Sequence, residues 1–121
     1  MKWVKHYCDL SSRLEFSALL QSQGPKGYGI FWICLEQIGR QFTGDPDKDE
    51  NWLNGNLFGA IARFACCTEE EVAAVFQKSV DLGILKLKKL GRIDYYYCPM
   101  MQEMADEYTN WKRKNGRGVS K

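Results

Sequence analysis

The chain has 121 residues, of which 45% are hydrophobic and 13% aromatic, and its formal net charge is +2. This length and composition predict one folded domain and exclude a disordered chain, since a chain of this size removes about two thirds of its unfolded surface from water. An odd count of five cysteines, the lack of a cleavable leader and the lack of an apolar run of about 20 residues predict a cytoplasmic protein that does not enter a membrane.

The amino-terminal segment, residues 1–7, mixes aromatic with basic residues and predicts a short strand or an extended arm. Its aromatic residues Trp3 and Tyr7 are candidates for contact with a protein partner. A short helix is predicted after the arm. Gly24 and Pro25 are expected to end it, because a glycine-proline pair interrupts helical geometry.

A longer helix is predicted from about Pro25 to Phe42, because its apolar residues recur at intervals of three and four. The polar residues that follow, as far as Glu50, predict a surface loop. Asn54 or Asn56 is expected to cap a third helix. The predicted inward face of that helix consists of Leu57, Ile61, Phe64 and Ala65.

A fourth helix is predicted to begin at a capping box formed by Thr68 and Glu71 and to end at Gly83. Beyond Gly83 the apolar period changes to two, which predicts a β-hairpin with its turn at residues 90–92. A last helix is predicted to begin near Pro99, which suits the first turn of a helix. Its predicted apolar stripe consists of Met101, Met104, Tyr108 and Trp111.

Three consecutive helices followed by a basic hairpin predict a fold that is mostly α with a small β-hairpin. The predicted architecture is a winged helix-turn-helix with an N-terminal arm or helix and a C-terminal helix, and the fourth helix is the candidate reader of a DNA groove. The sequence has no internal repeat. Residues 1–114 are therefore assigned to a single winged-helix domain and residues 115–121 to a flexible basic tail.

The hairpin carries the best local indication of DNA binding. Alternate residues of a β-strand share a face at a spacing of about 6.6–7 Å, so Lys86 and Lys88 can contact successive phosphates of one nucleic-acid strand. Arg92 at the turn can enter a minor groove, and Lys89 completes this basic segment. An equally weighted alternative is a solvated hairpin whose lysines prevent pairing between sheet edges.

The start of the helix before the hairpin and the end of the helix after it carry opposite charges. The fourth helix begins with Glu69, Glu70 and Glu71, which would repel phosphates and favour protein contact over base reading, although the same carboxylates also stabilise a helix start. The last helix combines Trp111 with cations, which predicts either a surface that stacks on a base or a core tryptophan followed by cations at a helix end. These cations are Lys112, Arg113, Lys114 and Arg117.

The sequence lacks the patterns of an active site. The single histidine lies in the aromatic arm, and no nucleophile elbow or phosphate-binding loop is present. The cysteines lack the spacing of a zinc site. The chain is therefore predicted not to be an enzyme and to have no cofactor, no bound metal and no small-molecule substrate.

The chain resembles the N-terminal domain of phage and mobile-element replisome-organiser proteins, distant relatives of the DnaD primosome proteins. Three motifs spread over most of the chain carry this resemblance. They are Trp3-Val4-Lys5-His6, Gly27-Tyr28-Gly29-Ile30-Phe31-Trp32 and Leu82-Gly83-Ile84-Leu85. The resemblance implies a winged helix, a role in replication initiation, a longer full-length protein and, as in relatives of DnaD, self-association through this domain.

The leading hypothesis is a DNA-binding module of a phage or mobile-element replication-initiation protein, which contacts mainly phosphates through the hairpin and the last helix. One alternative is a protein-interaction or self-association domain of a replisome protein. A second alternative is a transcription regulator. Fold resemblance alone does not decide among them.

Overall fold

The computed structural model describes residues 13–43, 45 and 48–119. Within them the chain forms four α-helices and one three-stranded antiparallel sheet. The helices are α1 (Leu14–Gln41), α2 (Phe58–Ala65), α3 (Glu69–Asp81) and α4 (Pro99–Val119). The strands are β1 (Leu53–Asn54), β2 (Lys86–Leu90) and β3 (Ile93–Tyr97), and β3 lies between the other two. The prediction of a mostly helical fold is confirmed, while the predicted two-stranded hairpin is extended by β1.

The extra strand, β1, pairs with β3 and aligns Leu53 with Tyr96. The sequence does not predict it, because two residues are too few to show an alternating pattern. Gly55 directly follows β1 and approaches β3 closely: a Cβ atom there would lie 3.0 Å from the backbone oxygen of Asp94. A side chain at position 55 would therefore push the chain away from the sheet.

Helix α1 consists of two helical segments that meet at Gly24, where φ is 74° and ψ is 177°. Glycine adopts this positive φ without strain, and Pro25 then fits the first turn of the second segment. The predicted interruption is thereby confirmed. In the second segment Phe31, Leu35 and Ile38 are buried, so this segment passes through the centre of the molecule as its periodicity predicts.

The core joins the helices to the inner face of the sheet through an aromatic cluster. The ring of Phe76 on α3 lies 4.5 Å from the ring of Phe58 and 4.7 Å from the ring of Tyr96, centroid to centroid. Phe76 and Tyr96 are buried, and the separation of 4.7 Å with an edge-on geometry is favourable for two aromatic rings. This cluster fixes α3 against the hairpin.

The predicted inward face of α2 is partly wrong. Ile61 is buried, but Leu57 is 43% and Phe64 is 64% exposed. The buried stripe of this short helix includes Ile61 and its neighbour Ala62, and Phe58 packs against the same core. Phe64 is three residues from Ile61 and so satisfies helical spacing, but the buried stripe is centred on Phe58, Ile61 and Ala62, which turns Phe64 away from the core.

Helix α3 begins at the predicted capping box. The backbone amide of Glu71 donates to the Thr68 hydroxyl at 3.1 Å, and the backbone amide of Thr68 donates to the Glu71 carboxylate at 3.0 Å. Both bonds satisfy amides that a helix leaves without an intrahelical partner. The prediction for this helix start is confirmed.

We expect Thr68→Ala to lower the free energy of unfolding by about 1 kcal/mol, because the amide of Glu71 loses its side-chain acceptor. Urea denaturation monitored by circular dichroism measures the change in the free energy of unfolding. Thr68→Ser keeps the hydroxyl and should lose much less stability. Equal losses for the two variants would contradict this role of the capping box.

Helix α4 departs from its predicted apolar stripe. Met101 and Met104 are buried, but Tyr108 is 43% and Trp111 is 60% exposed. The described side chains from 106 to 115 are all exposed, because this part of the helix extends beyond the body of the domain. The interpretation of Trp111 as a core residue is therefore wrong. The helix continues to Val119, past the domain boundary predicted at residue 114.

Two predictions for the amino terminus lie outside the described residues, namely the arm itself and its interaction residues Trp3 and Tyr7. Among the helices in the described ranges, none has the length and apolar character needed to cross a membrane.

Candidate nucleic-acid interface

The pairing of β2 with β3 decides which side of the sheet each lysine occupies. Lys86 is aligned with Tyr97, and Lys88 is aligned with Tyr95. Paired residues of antiparallel strands lie on the same face, and the residues that alternate with them face the other way. Since Tyr96 is buried against the helices, both lysines lie on the opposite, outer face. The predicted shared face of Lys86 and Lys88 is confirmed.

The other two basic residues of the hairpin lie elsewhere. Lys89 is aligned with Asp94 on the side of the sheet opposite to Lys88. Arg92 is exposed at the tip of the hairpin, next to Gly91, whose φ is 64°. The hairpin therefore presents two cations on its outer face and a third at its tip, while the fourth lies on the other side beside a carboxylate.

Two aromatic rings lie beside Lys88, one of the two outer lysines. The ammonium nitrogen of Lys88 lies 4.3 Å from the ring centroid of Trp52 and 5.8 Å from that of Tyr95. The ring of Trp52 in turn lies 5.1 Å from the ring of Tyr97. We call this surface the outer sheet face and define it as Trp52, Lys86, Lys88, Tyr95 and Tyr97. Its charged side chains on the strands are both positive.

The segment before β1 holds Trp52 in place through Asn51, a polar residue that is fully buried. The Asn51 side-chain oxygen accepts from the backbone amide of Thr43 at 2.8 Å and from its hydroxyl at 3.1 Å, and the side-chain amide donates to the backbone oxygen of Asp45. The Gln41 side-chain amide donates to the backbone oxygen of Trp52 at 2.9 Å. Side-chain bonds therefore fix a segment that has little regular structure.

We expect Asn51→Ala to lower the free energy of unfolding by about 1–3 kcal/mol, because it leaves the part-buried backbone amide of Thr43 without its acceptor. Thermal unfolding measures the stability, and near-ultraviolet circular dichroism reports the altered packing around Trp52. Asn56→Ala is the matched control, since Asn56 is exposed and such substitutions change stability by less than about 0.5 kcal/mol. A loss of similar size in both variants would argue against the anchoring role of Asn51.

The carboxyl-terminal half of α4 carries the second basic group of residues. Lys112, Arg113 and Lys114 are exposed, and the side chain of Arg117 lies outside the described part of the structure. The rings of Tyr108 and Trp111 stack with a centroid separation of 6.3 Å and an interplanar angle of 21°. Trp111 is thus an exposed tryptophan that is followed along the helix by three exposed cations.

The acidic start of α3 is partly neutralised within the chain. The Glu71 carboxylate lies 2.6 Å from the ammonium nitrogen of Lys26 on α1. The hydrogen bond from Lys26, followed by the bond from the Thr68 amide, lowers the pKa of Glu71 below its usual value. Glu69 and Glu70 remain exposed. The start of α3 therefore stays unfavourable for contact with phosphates, as the sequence predicts.

The cysteines in the described part of the chain are free thiols. Burial raises the pKa of Cys34 to about 12 and that of Cys98 to about 11, which keeps both protonated and unreactive. Cys66 is exposed and Cys67 is half-buried. Among the described residues, no group of three or more histidine, cysteine, aspartate or glutamate side chains could hold a metal ion.

The sequence alone does not predict that Trp52, Tyr95 and Tyr97 share a surface. Tyr95 and Tyr97 alternate along β3 in the manner of Lys86 and Lys88 along β2, so the hairpin pattern already contains this face. Trp52 gives no such signal, because it lies in a polar segment and reaches the sheet only through the fold of that segment.

Comparison with known proteins provides no relative: no family model, no curated protein and no solved structure matches this chain. The resemblance to the replisome organisers therefore stays a prediction. The function is inferred from the geometry of the outer sheet face and of α4.

Proposed function

We propose that this chain is a DNA-binding module of the winged-helix type and has no catalytic activity of its own. It contacts mainly phosphates, through the β2–β3 hairpin as the wing and through the basic part of α4. The observation that carries the proposal is the shared outer face of Lys86 and Lys88, which has no acidic side chain on its strands and has Arg92 at the adjoining tip. Cations spaced along one strand suit the regular charge of a nucleic-acid backbone.

The order of elements supports the winged-helix part of the proposal. Helices α2 and α3 follow each other with only residues 66–68 between them, a connection typical of a helix-turn-helix pair. Cys66 makes this short turn possible with a left-handed backbone, where φ is 57°. The hairpin follows α3 directly, and β1 completes a small sheet with it.

Helix α3 has a supporting role in this proposal and does not read bases. Glu69 and Glu70 are exposed at its amino-terminal end, which a groove-reading helix normally brings to the DNA. The wing and α4 then supply the positive charge, so binding is expected to depend little on base sequence.

One observation favours a protein partner as the second candidate function. Leu57, just before α2, and Phe64 on α2 are large exposed apolar side chains, and with Gln37 and Gln41 of α1 they line a shallow groove. Exposed apolar surface of this kind is common at protein interfaces. In that case the chain is an interaction or self-association domain. The predicted role of Trp3 and Tyr7 belongs to the same alternative.

The resemblance to replisome organisers supports a role in replication initiation, and we include that role in the proposal. A transcription regulator remains the third possibility. Preference for one short DNA sequence would favour it over a replication module, which needs no such preference when it binds through phosphates.

Fluorescence anisotropy with labelled duplex and single-stranded DNA tests the proposal directly, at low salt and with the mass of the protein in solution determined in parallel. We expect saturable binding by a protein of defined mass. Absence of binding at low salt together with a stable dimer or larger assembly would replace the proposal by the interaction domain.

A further inference from the structure

The outer sheet face combines two kinds of group that bind different parts of a nucleic acid. Lys86 and Lys88 are suited to phosphates, while the rings of Trp52 and Tyr95 are suited to the flat faces of bases. Trp52 and Tyr95 are half-buried and lie outside the cluster of buried core residues, although the ring of Trp52 also packs on Tyr97. The ring surfaces beside Lys88 are therefore not part of the core.

The position of Lys88 shows where a base would bind. Its ammonium group lies near the rings of both Trp52 and Tyr95, at 4.3 Å and 5.8 Å from their centroids. A lysine side chain is flexible and its charge is strongly hydrated, so contact with a phosphate competes well with contact with a ring. When Lys88 turns toward a phosphate, it leaves an aromatic surface uncovered.

Bases of a duplex do not suit this surface. Within a double helix each base face is already covered by its neighbours, so a base reaches an aromatic ring only after costly unstacking. Bases of a single strand are free to stack, and stacking accepts every base type. The exposed carboxylates at the start of α3 further disfavour the insertion of that helix into a duplex groove.

We infer that the outer sheet face binds single-stranded DNA in preference to duplex DNA. A base takes the place of the Lys88 ammonium group beside Trp52 and Tyr95, and Lys86 and Lys88 bind the adjoining phosphates. This inference rests on the proposed function, since it names the form of DNA that the wing binds.

The test compares an oligothymidylate of about 15 nucleotides with a duplex of equal length, using fluorescence anisotropy on the whole chain. The unaltered protein is expected to bind the single strand more tightly. Tyr95→Thr keeps the strand propensity of the position but removes the ring. It should weaken binding to the single strand by about 5- to 150-fold, the range for loss of one stacked base. The ratio of single-strand to duplex affinity should fall with it.

Trp52 is tested by two variants that differ in the presence of a ring. Trp52→Phe should retain more affinity for the single strand than Trp52→Leu. In both variants oligothymidylate should quench less tryptophan fluorescence than it does in the unaltered protein. Thermal unfolding identifies any Trp52 variant that fails to fold. In that case the result for Tyr95→Thr decides whether the outer sheet face binds a stacked base. Phe64→Ala is the matched control, because Phe64 is an exposed aromatic outside the outer sheet face.

The outcomes separate this inference from the proposed function. Equal affinity for both DNA forms, or equal losses for both in Tyr95→Thr, would overturn single-strand preference and leave the DNA-binding module in place. A complete lack of binding to either form would overturn the proposed function and the inference together.

Discussion

Replacing Lys86, Lys88 and Arg92 together by glutamate is expected to lower the affinity for DNA by at least about 100-fold at low salt. The substitution removes three cations from the wing and adds three anions, so each lost phosphate contact becomes a repulsion. All three side chains lie away from the core, on the outer sheet face or at the exposed tip of the hairpin. The fold should therefore survive, and fluorescence anisotropy should report the loss of binding alone.

A second charge reversal separates local contacts from net charge. The variant Arg40→Glu, Arg63→Glu, Lys78→Glu changes the net charge by the same amount but leaves the wing intact. At about 0.15 M salt, where the Debye length is about 8 Å, we expect it to retain affinity within about threefold, because its three residues lie on α1, α2 and α3 and not on the outer sheet face. If both triple variants lose the same affinity, the wing is not the binding surface.

Phe76→Ala is expected to lower the free energy of unfolding by about 3–5 kcal/mol, the usual range for a large aromatic removed from a core. Phe76 is 1% exposed and contacts the rings of both Phe58 and Tyr96. Its loss therefore opens a cavity between α3, the first turn of α2 and the sheet. Urea or thermal denaturation gives the change in stability.

An aromatic residue on the neighbouring helix provides the control for this cavity. Phe64 is 64% exposed on α2, so Phe64→Ala should change the free energy of unfolding by less than about 0.5 kcal/mol. A loss of several kcal/mol in Phe64→Ala, or a small loss in Phe76→Ala, would contradict the packing described for this core.

Local patterns in the sequence predict much of this fold. The capping box at Thr68, the interruption at Gly24 and the alternation of Lys86 with Leu87 each depend on a few neighbouring residues. Such features can be predicted without knowledge of the tertiary structure, because they depend on backbone hydrogen bonds or side-chain directions between neighbouring residues.

The features that the sequence does not predict depend on contacts between distant segments. Strand β1 exists only because Leu53 pairs with Tyr96, and Trp52 reaches the sheet because Asn51 folds the preceding segment. The exposed position of Trp111 depends on where the body of the domain ends, which helical periodicity alone cannot show. As a result, the lysines and tyrosines of the outer sheet face follow from the alternation along the strands, while the position of Trp52 does not.

The dependence of duplex affinity on salt tests the central claim most directly, because each phosphate contact releases counterions. With contacts from Lys86, Lys88 and Arg92, the logarithm of the association constant should fall with the logarithm of salt concentration with a slope of about −3 or steeper. The variant with glutamate at positions 86, 88 and 92 should show a slope that is shallower by about 2 to 3. A slope near zero, or an equal slope in both proteins, would contradict DNA binding through phosphate contacts of the wing.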